Sequence, residues 1–407
     1  MVHLLLAVIY LSFIGLGLPD SLLGAAWPSM YEGLAVPVSC AGIVSMLISG
    51  CTIVSSLFSD HLVRSLGPGR VTALSVGTTA AALFGFASSR TFASICFWAV
   101  PYGLGAGSVD AVLNNFVALH YETRHMNWLH CFWGVGATLG PYVMGLCLAQ
   151  GLGWPGGYHA VGLIQVALTA LLVLSLPLWR NGSDGTPRVH EDDAAPPAGL
   201  RDLFRLPGAR RALAAFFCYC SLEHVTGLWG SSYMVMVKGL TADRAASLIG
   251  LFYFGITAGR FASGFLSTRF DDRTMIRMGQ ALALTGVLVL PLAGGLVPLR
   301  VGFVLIGLGC APIYPSLLHR TPERFGAVAS QAMMGLQMAC AYLGSTLSPV
   351  LTGWVAGRFG IAPYPFLLLA FALLMTGMTE GENRRTTVPR PLSTDTATND
   401  RIGPGAS

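Results

Sequence analysis

Residues 181–202 read NGSDGTPRVHEDDAAPPAGLRD, and what lies on either side of them decides the fold. The stretch is polar, acidic and proline-bearing, so it reads as a solvated connection and not as packed core. In both directions from it the chain turns into apolar runs, each near the ~20 residues a helix needs to cross ~30 Å of hydrocarbon. Upstream they cover 4–26, 38–58, 71–88, 92–119, 128–149 and 156–179; downstream they cover 212–237, 245–267, 275–295, 299–318, 327–356 and 361–377. The expected fold class is therefore an all-α membrane protein, with twelve transmembrane helices in two six-helix bundles. The expected domains are an N-terminal bundle at 1–179, a cytoplasmic linker at 180–211, a C-terminal bundle at 212–378 and a disordered cytoplasmic tail at 379–407. In the tail EGENRRTTVPRPLSTDTATND again turns polar.

Composition supports this reading. Of 407 residues 53% are hydrophobic and 11% charged, where a soluble domain carries about 25% charged residues. Mean hydropathy is +0.63. So little charge cannot cover a water-facing surface, which excludes a soluble enzyme, a nucleic-acid binder and a secreted disulfide scaffold. All nine cysteines fall in apolar runs and read as packing residues. No HExxH helix or GxGD acid pair occurs, so no enzyme, cofactor or metal site is expected. The net charge of +5 reflects position: with twelve alternating spans, every one of the 24 Lys and Arg residues except Arg90, Lys238, Arg244, Arg300 and Arg358 falls on the linker side. Positive charge collects on cytoplasmic loops, so the linker and both termini are expected in the cytoplasm and the chain in the plasma (inner) membrane. Nothing in the sequence adds a dimerisation element, and a monomer is expected.

Three acids fall inside the apolar runs: Asp20, Asp110 and Glu223. Each costs ~2.5–3.5 kcal/mol at the centre of a span, which marks them as functional candidates. No Lys or Arg reads as deep enough to pair with them, and Arg260, the nearest, is expected at the cytoplasmic end of its span. An acid without a counter-charge in a low dielectric can take up and release a proton near neutral pH, and all three are candidate proton-coupling residues. Helical spacing assigns faces. Asp110 and Asn114 are one turn apart. Asp20, Gly24 and Trp27 share a face, and Glu223 with Gly227 repeats that spacing just before Trp229. Carboxylate, carboxamide and indole together suit a hydroxylated neutral ligand, so Asp20, Trp27, Asp110, Asn114, Trp229 and Gln337 are the candidate substrate contacts. Trp27 and Trp229 read equally as interface-belt aromatics. The expected partners are a small-molecule substrate, protons (or sodium, which the same residue types admit) and the lipid bilayer.

The two halves echo each other. GCTIVSSLFSDHLVRSLGPGR at 50–70 is matched by GITAGRFASGFLSTRFDDR at 255–273, GLGAG at 103–107 by GLGCA at 307–311, and Pro141 by Pro349. Such parallel six-span repeats, with a Gly–acid–Arg loop signature, resemble the major facilitator superfamily. The resemblance implies that Asp60, Arg64, Arg70, Arg260 and Arg269 brace the cytoplasmic helix ends and gate them. More narrowly, GLPDSLLGAAWP (17–28), GLGAGSVDAVLNN (103–115), LHCFWGVGATLGP (129–141) and GLGCAPIYP (307–315) resemble the fucose–proton symporter family. That likeness implies that Asp20 and Asp110 are the substrate- and proton-linked acids and Asn114 a substrate contact. Asp110 stands where those carriers have Glu, and Glu223 is an additional acid. The implied function is proton-coupled symport of a neutral sugar or similar small polar solute by alternating access. The alternative is proton-driven export of amphipathic compounds, since GATLGPYVMG (136–145) also resembles the fifth-helix motif of drug antiporters.

Overall fold

The computed structural model describes residues 2–121, 123–180 and 200–383, and among these residues it is helical with no strand. The helices are α1 Val2–Asp20, α2 Leu22–Gly33, α3 Cys40–Leu66, α4 Pro68–Ser88, α5 Phe92–His120, α6 Thr123–Ala149, α7 Gly153–Arg180, α8 Leu200–Arg205, α9 Ala209–Met236, α10 Ala242–Leu266, α11 Asp272–Leu292, α12 Leu296–His319, α13 Thr321–Phe359 and α14 Tyr364–Asn383. Helices α1 and α2 together form one span, Leu4–Gly33, so twelve long rods result. Ten of the described helices are long and apolar enough to cross a membrane. The remaining two long rods, α9 and α13, fall short of that combined measure of length, hydropathy and charge; they carry Glu223, His224, Tyr342 and Ser345, which face the interior cavity described below.

The break between α1 and α2 has a local cause. Pro19 has no N–H for the Gly15 carbonyl one turn back. The side chain of Gln165, buried in α7, donates to that carbonyl instead. Asp20 is left as the last residue of α1, at the break itself. Other ends follow ordinary capping chemistry. Thr91 Oγ1 accepts from Ser94 N at 3.3 Å at the start of α5. Asp271 Oδ1 accepts from Thr274 N at 3.2 Å at the start of α11, and this bond holds the Asp271 carboxyl below the usual carboxylate range.

Helices α1–α7 form one bundle and α9–α14 the other. Across the divide α6 packs on α10, α3 on α13 and α2 on α9. Glycines make close approaches between the bundles, at Gly134 against Thr257 near the middle of α6 and α10 and at several positions on the side away from the linker. A methyl group at Gly24 would overlap the Gly227 carbonyl, one at Gly42 would crowd Pro349 and Val350, and one at Gly353 would crowd Ser39. The largest apolar cluster runs through both bundles, whereas the linker half of the first bundle, around Leu5, Phe13, Val109 and Leu172, packs on itself. The bundles thus share a core at the far end, while toward the linker the first bundle has a cluster of its own and α6 still meets α10.

Two expected boundaries move. Helix α8 and the start of α9 at Ala209 lie within the stretch expected to be linker, and α14 continues through Asn383 into the stretch expected to be tail. The extension is anchored: Arg211 donates to the Gly381 carbonyl, Arg277 Nε pairs with Glu380 Oε1 at 2.6 Å, and Arg324 pairs with the buried Glu382. Four such contacts, with Gln280 donating to Thr379 at 2.9 Å, hold a polar segment that composition alone reads as solvated. Residues 181–199 and 384–407 of the expected linker and tail lie outside the described residues.

Candidate functional site

A cavity of about 260 Å³ lies between the bundles, on the linker side of the Gly24–Gly227 contact. Asp20, Ser49, Thr52, Tyr102 and Trp133 face it from the first bundle; Glu223, His224, Tyr253, Tyr342 and Ser345 face it from the second. Among the described lining residues there is no Lys or Arg.

Asp20 is the centre of the first-bundle wall and is open to the cavity. Its two oxygens take different donors. Trp133 Nε1 of α6 donates to Oδ2 at 2.9 Å, and the Tyr102 hydroxyl of α5 donates to Oδ1 at 3.3 Å. Its charged neighbour in the same bundle is another acid, Asp110, and from the other bundle it feels Tyr253. Among the described residues, two neutral donors and no cation hold this carboxylate. In a low dielectric such bonds orient the group while leaving its charge uncompensated.

Glu223 is held differently. Arg260 of α10 stands within electrostatic reach of it, together with Tyr219. The Tyr219 hydroxyl is buried between these groups without closing a hydrogen bond of good geometry. The expectation that no cation lies deep enough to meet the acids is corrected here. Arg260 sits nearly two turns inside the end of α10 at Leu266, and is partly buried. Its guanidinium lies 5.5 Å from the Trp133 ring centroid, across the bundle interface.

Asp110 and Asn114 are brought together as spacing implied: Asn114 Nδ2 donates to Asp110 Oδ1 at 2.9 Å and to its carbonyl at 3.0 Å. The buried Asn114 Oδ1 has no hydrogen-bond partner among the described residues. This pair stands apart from the cavity lining, on the linker side of Asp20, and within electrostatic reach of Asp20 and Tyr342.

Three candidate contacts are placed elsewhere. Trp27 is fully buried, and its Nε1 donates to the Val38 carbonyl at 2.8 Å, pinning the α2–α3 connection. Trp229 is also fully buried and donates to the Pro349 carbonyl at 3.2 Å. Both indoles pack in the shared core, away from the cavity, because an indole needs one partner for its single N–H and finds a backbone carbonyl there. Gln337 is buried and accepts from Thr321 Oγ1 at 2.9 Å near the linker end of the second bundle. Of the loop-signature residues, Arg64, Arg70 and Arg269 are exposed at the linker ends, Arg260 is drawn inside, and the Asp60 side chain lies outside the described residues.

Trp133, Tyr102, Tyr253 and Tyr342 are cavity residues that the sequence reading passed over. Each is an aromatic with a polar atom near the middle of its span, away from the interfacial belts where such residues collect. That position was the available signal.

The family model described as Major Facilitator Superfamily matches residues 9–331 and 239–380. The chain is 26% identical over 364 residues to an uncharacterized transporter, y4wD, of Sinorhizobium fredii, covering 86% of this chain and 90% of the relative. It is 20% identical over 342 residues to the glucose/mannose transporter GlcP of Bacillus subtilis, covering 83% and 84%. Among solved structures it is similar to the nucleoside transporter NupG, with a TM-score of 0.75 at 14% identity over 93% of this chain and 98% of that one. It is also similar to a bacterial homologue of the human lysosomal transporter Spinster in an inward-facing and occupied conformation, with a TM-score of 0.70 at 12% identity, covering 94% and 97%. With two bundles around a central cavity and a family match along most of its length, the chain belongs to the Major Facilitator Superfamily of membrane transporters.

Proposed function

We propose that this transporter carries a small neutral polyhydroxylated solute, a monosaccharide or a compound of that kind, in symport with protons, and that Asp20 is the acid that links the two fluxes. One observation carries the reading: Asp20 opens onto the cavity with its carboxylate oriented by Trp133 and Tyr102 and with no cation beside it. A carboxylate so placed accepts hydrogen bonds from sugar hydroxyls when ionised and becomes neutral by taking a proton. The lining suits such a solute. Indole and phenol faces stack on the apolar side of a sugar ring, and Ser49, Thr52 and Ser345 offer hydroxyls to its edge. The Bacillus subtilis relative is a glucose/mannose transporter, which supports the same class. The narrower likeness to fucose–proton symporters forms part of this proposal.

The mechanism follows from differential affinity. Main-chain contacts at Gly24–Gly227 close the far side in the state described. In the opposite state the bundles would rock about the cavity and close toward the linker. Coupling requires that the neutral and ionised forms of Asp20, with and without solute, favour the two states unequally. Asp110, beside Asp20 but off the lining, is the second proton-linked acid of the proposal. Cytoplasmic termini and an inner-membrane location belong to it as well.

The test is uptake into proteoliposomes of a panel of radiolabelled monosaccharides and uridine, with acid imposed outside. Accumulation of one of them that collapses with a protonophore and is lost in Asp20→Asn supports the proposal. Uptake driven equally well without a pH gradient, or retained in Asp20→Asn, overturns it. The two acids and no Lys or Arg in the lining also fit an amphipathic cation carried outward. In that case the sugars would fail, and overexpression would raise resistance to lipophilic cations.

A further inference from the structure

The two acids of the cavity belong to different bundles, and one aromatic ring stands between their surroundings. Trp133 of α6 uses its edge toward its own bundle, with Nε1 on Asp20 at 2.9 Å. It uses its face toward the other, with Arg260 of α10 at 5.5 Å from the ring centroid. Arg260 in turn answers to Glu223. The contact lies on the linker side of the Gly24–Gly227 approach, beside the tight packing of Gly134 on Thr257 between α6 and α10, and so at a bundle interface that must rearrange if the bundles rock.

We propose that Trp133 is the positioning residue that carries the charge state of Asp20 in the first bundle to Arg260 in the second. An ionised Asp20 is a strong acceptor and fixes the indole edge-on, which presents the ring face to Arg260. A neutral Asp20, or one engaged by solute, is a weaker acceptor. The indole is then freed, Arg260 loses the π face that attracted it, and Glu223 becomes its main partner. The linker-side contact between bundles loosens in the same event. Other charged and titratable groups face both ends of this connection. Around Asp20 these are Asp110 and Tyr102 from α5 and Tyr253 from α10. Around Arg260 they are Glu223 and Tyr219 from α9, His130 and Cys131 from α6, and Cys310 and Tyr314 from α12.

The inference rests on Asp20 as the acid of the site, so the test is chosen to need no solute. The full chain is produced with 5-fluorotryptophan, and its eight tryptophans are followed by ¹⁹F NMR in detergent. Trp133→Phe identifies the resonance by its disappearance; if that variant fails to fold, Trp133→Tyr serves. The expected result is that the Trp133 resonance shifts in Asp20→Asn and also in Arg260→Gln, a change on the opposite bundle. The double variant should shift it no further than the larger single one. Arg260→Lys, which keeps the cation, should hold the resonance nearer its original position than Arg260→Gln does. A Trp133 signal that ignores Arg260→Gln, or shifts that simply add in the double variant, overturns the inference. Full sugar uptake by Asp20→Asn would overturn the transport reading while leaving these shifts to judge the connection by themselves.

Discussion

The two bundles are built from matching halves, yet they treat their central acids in opposite ways. Asp20 receives two neutral donors, at 2.9 and 3.3 Å, and no cation. Glu223 has Arg260 of the neighbouring helix of its own bundle within electrostatic reach. The difference teaches where to look for the working charge. An acid with a guanidinium in reach has a neighbour of opposite charge, which suits it to structure and steering. An acid oriented by N–H and O–H groups alone keeps both of its forms accessible. Sequence names Asp20, Asp110 and Glu223 alike as proton-coupling candidates; the structure gives them different neighbours.

Substitutions can break or sharpen the contrast. The largest effect is expected for Asp20→Asn: proton-driven uptake in proteoliposomes should fall by about 100-fold, equivalent to roughly 2.7 kcal/mol, while Glu223→Gln should cost only about tenfold and keep its dependence on the pH gradient. Equal losses in the two variants would erase the distinction. Next comes the seam between the halves. Gly24→Ala pushes a methyl into the Gly227 carbonyl and should cost about 1–3 kcal/mol, seen as a lower unfolding temperature in detergent. Gly50→Ala, where nothing stands within 4 Å of the added carbon, should be neutral or stabilise by up to about 1 kcal/mol. For the Glu223 surroundings, Arg260→Gln should destabilise by about 1–2 kcal/mol, discounted from a fully buried pair because the site is partly open. Adding Glu223→Gln should recover part of that loss, a coupling that a thermal double-mutant cycle can read. The smallest effect is expected for Trp229→Phe. It leaves the Pro349 carbonyl without its donor and should lower stability by about 1 kcal/mol with no change in the apparent KM for solute, since the indole lies outside the cavity.

The fold was legible because its determinants are one-dimensional. Apolar length, a polar interruption at 181–202 and the uneven placement of arginine are all properties of the string, and they are read without knowing which residues touch. The site was legible in part. The cost of burying Asp20 is visible in sequence, and Pro19 beside it foretells a broken helix. What the string could not supply is rotation and depth. Trp27 lies seven residues from Asp20 on one face and Trp229 follows the Glu223–Gly227 pair, but spacing fixes a face of one helix and not which neighbour that face meets. Both turned out to face carbonyls of the shared core. Arg260 looked terminal because polar loop residues follow closely, yet about 9 Å of helix, at 1.5 Å per residue, separate it from the end of α10. Gln337 is polar and mid-span as a cavity residue would be, and is spent instead on Thr321. The anchored end of α14 escaped for the opposite reason: EGEN is ordinary tail composition until arginines from three other segments close on it.

The meeting of Gly24 with Gly227 has a consequence for how such a carrier can diversify. The contact that closes the far side is made of peptide backbone on both sides, so it holds no functional group that a new cargo would require to be altered. Side chains such as Ser49, Thr52 and Ser345 can change to suit another solute, while that closure survives as long as Gly24 and Gly227 remain without a side chain.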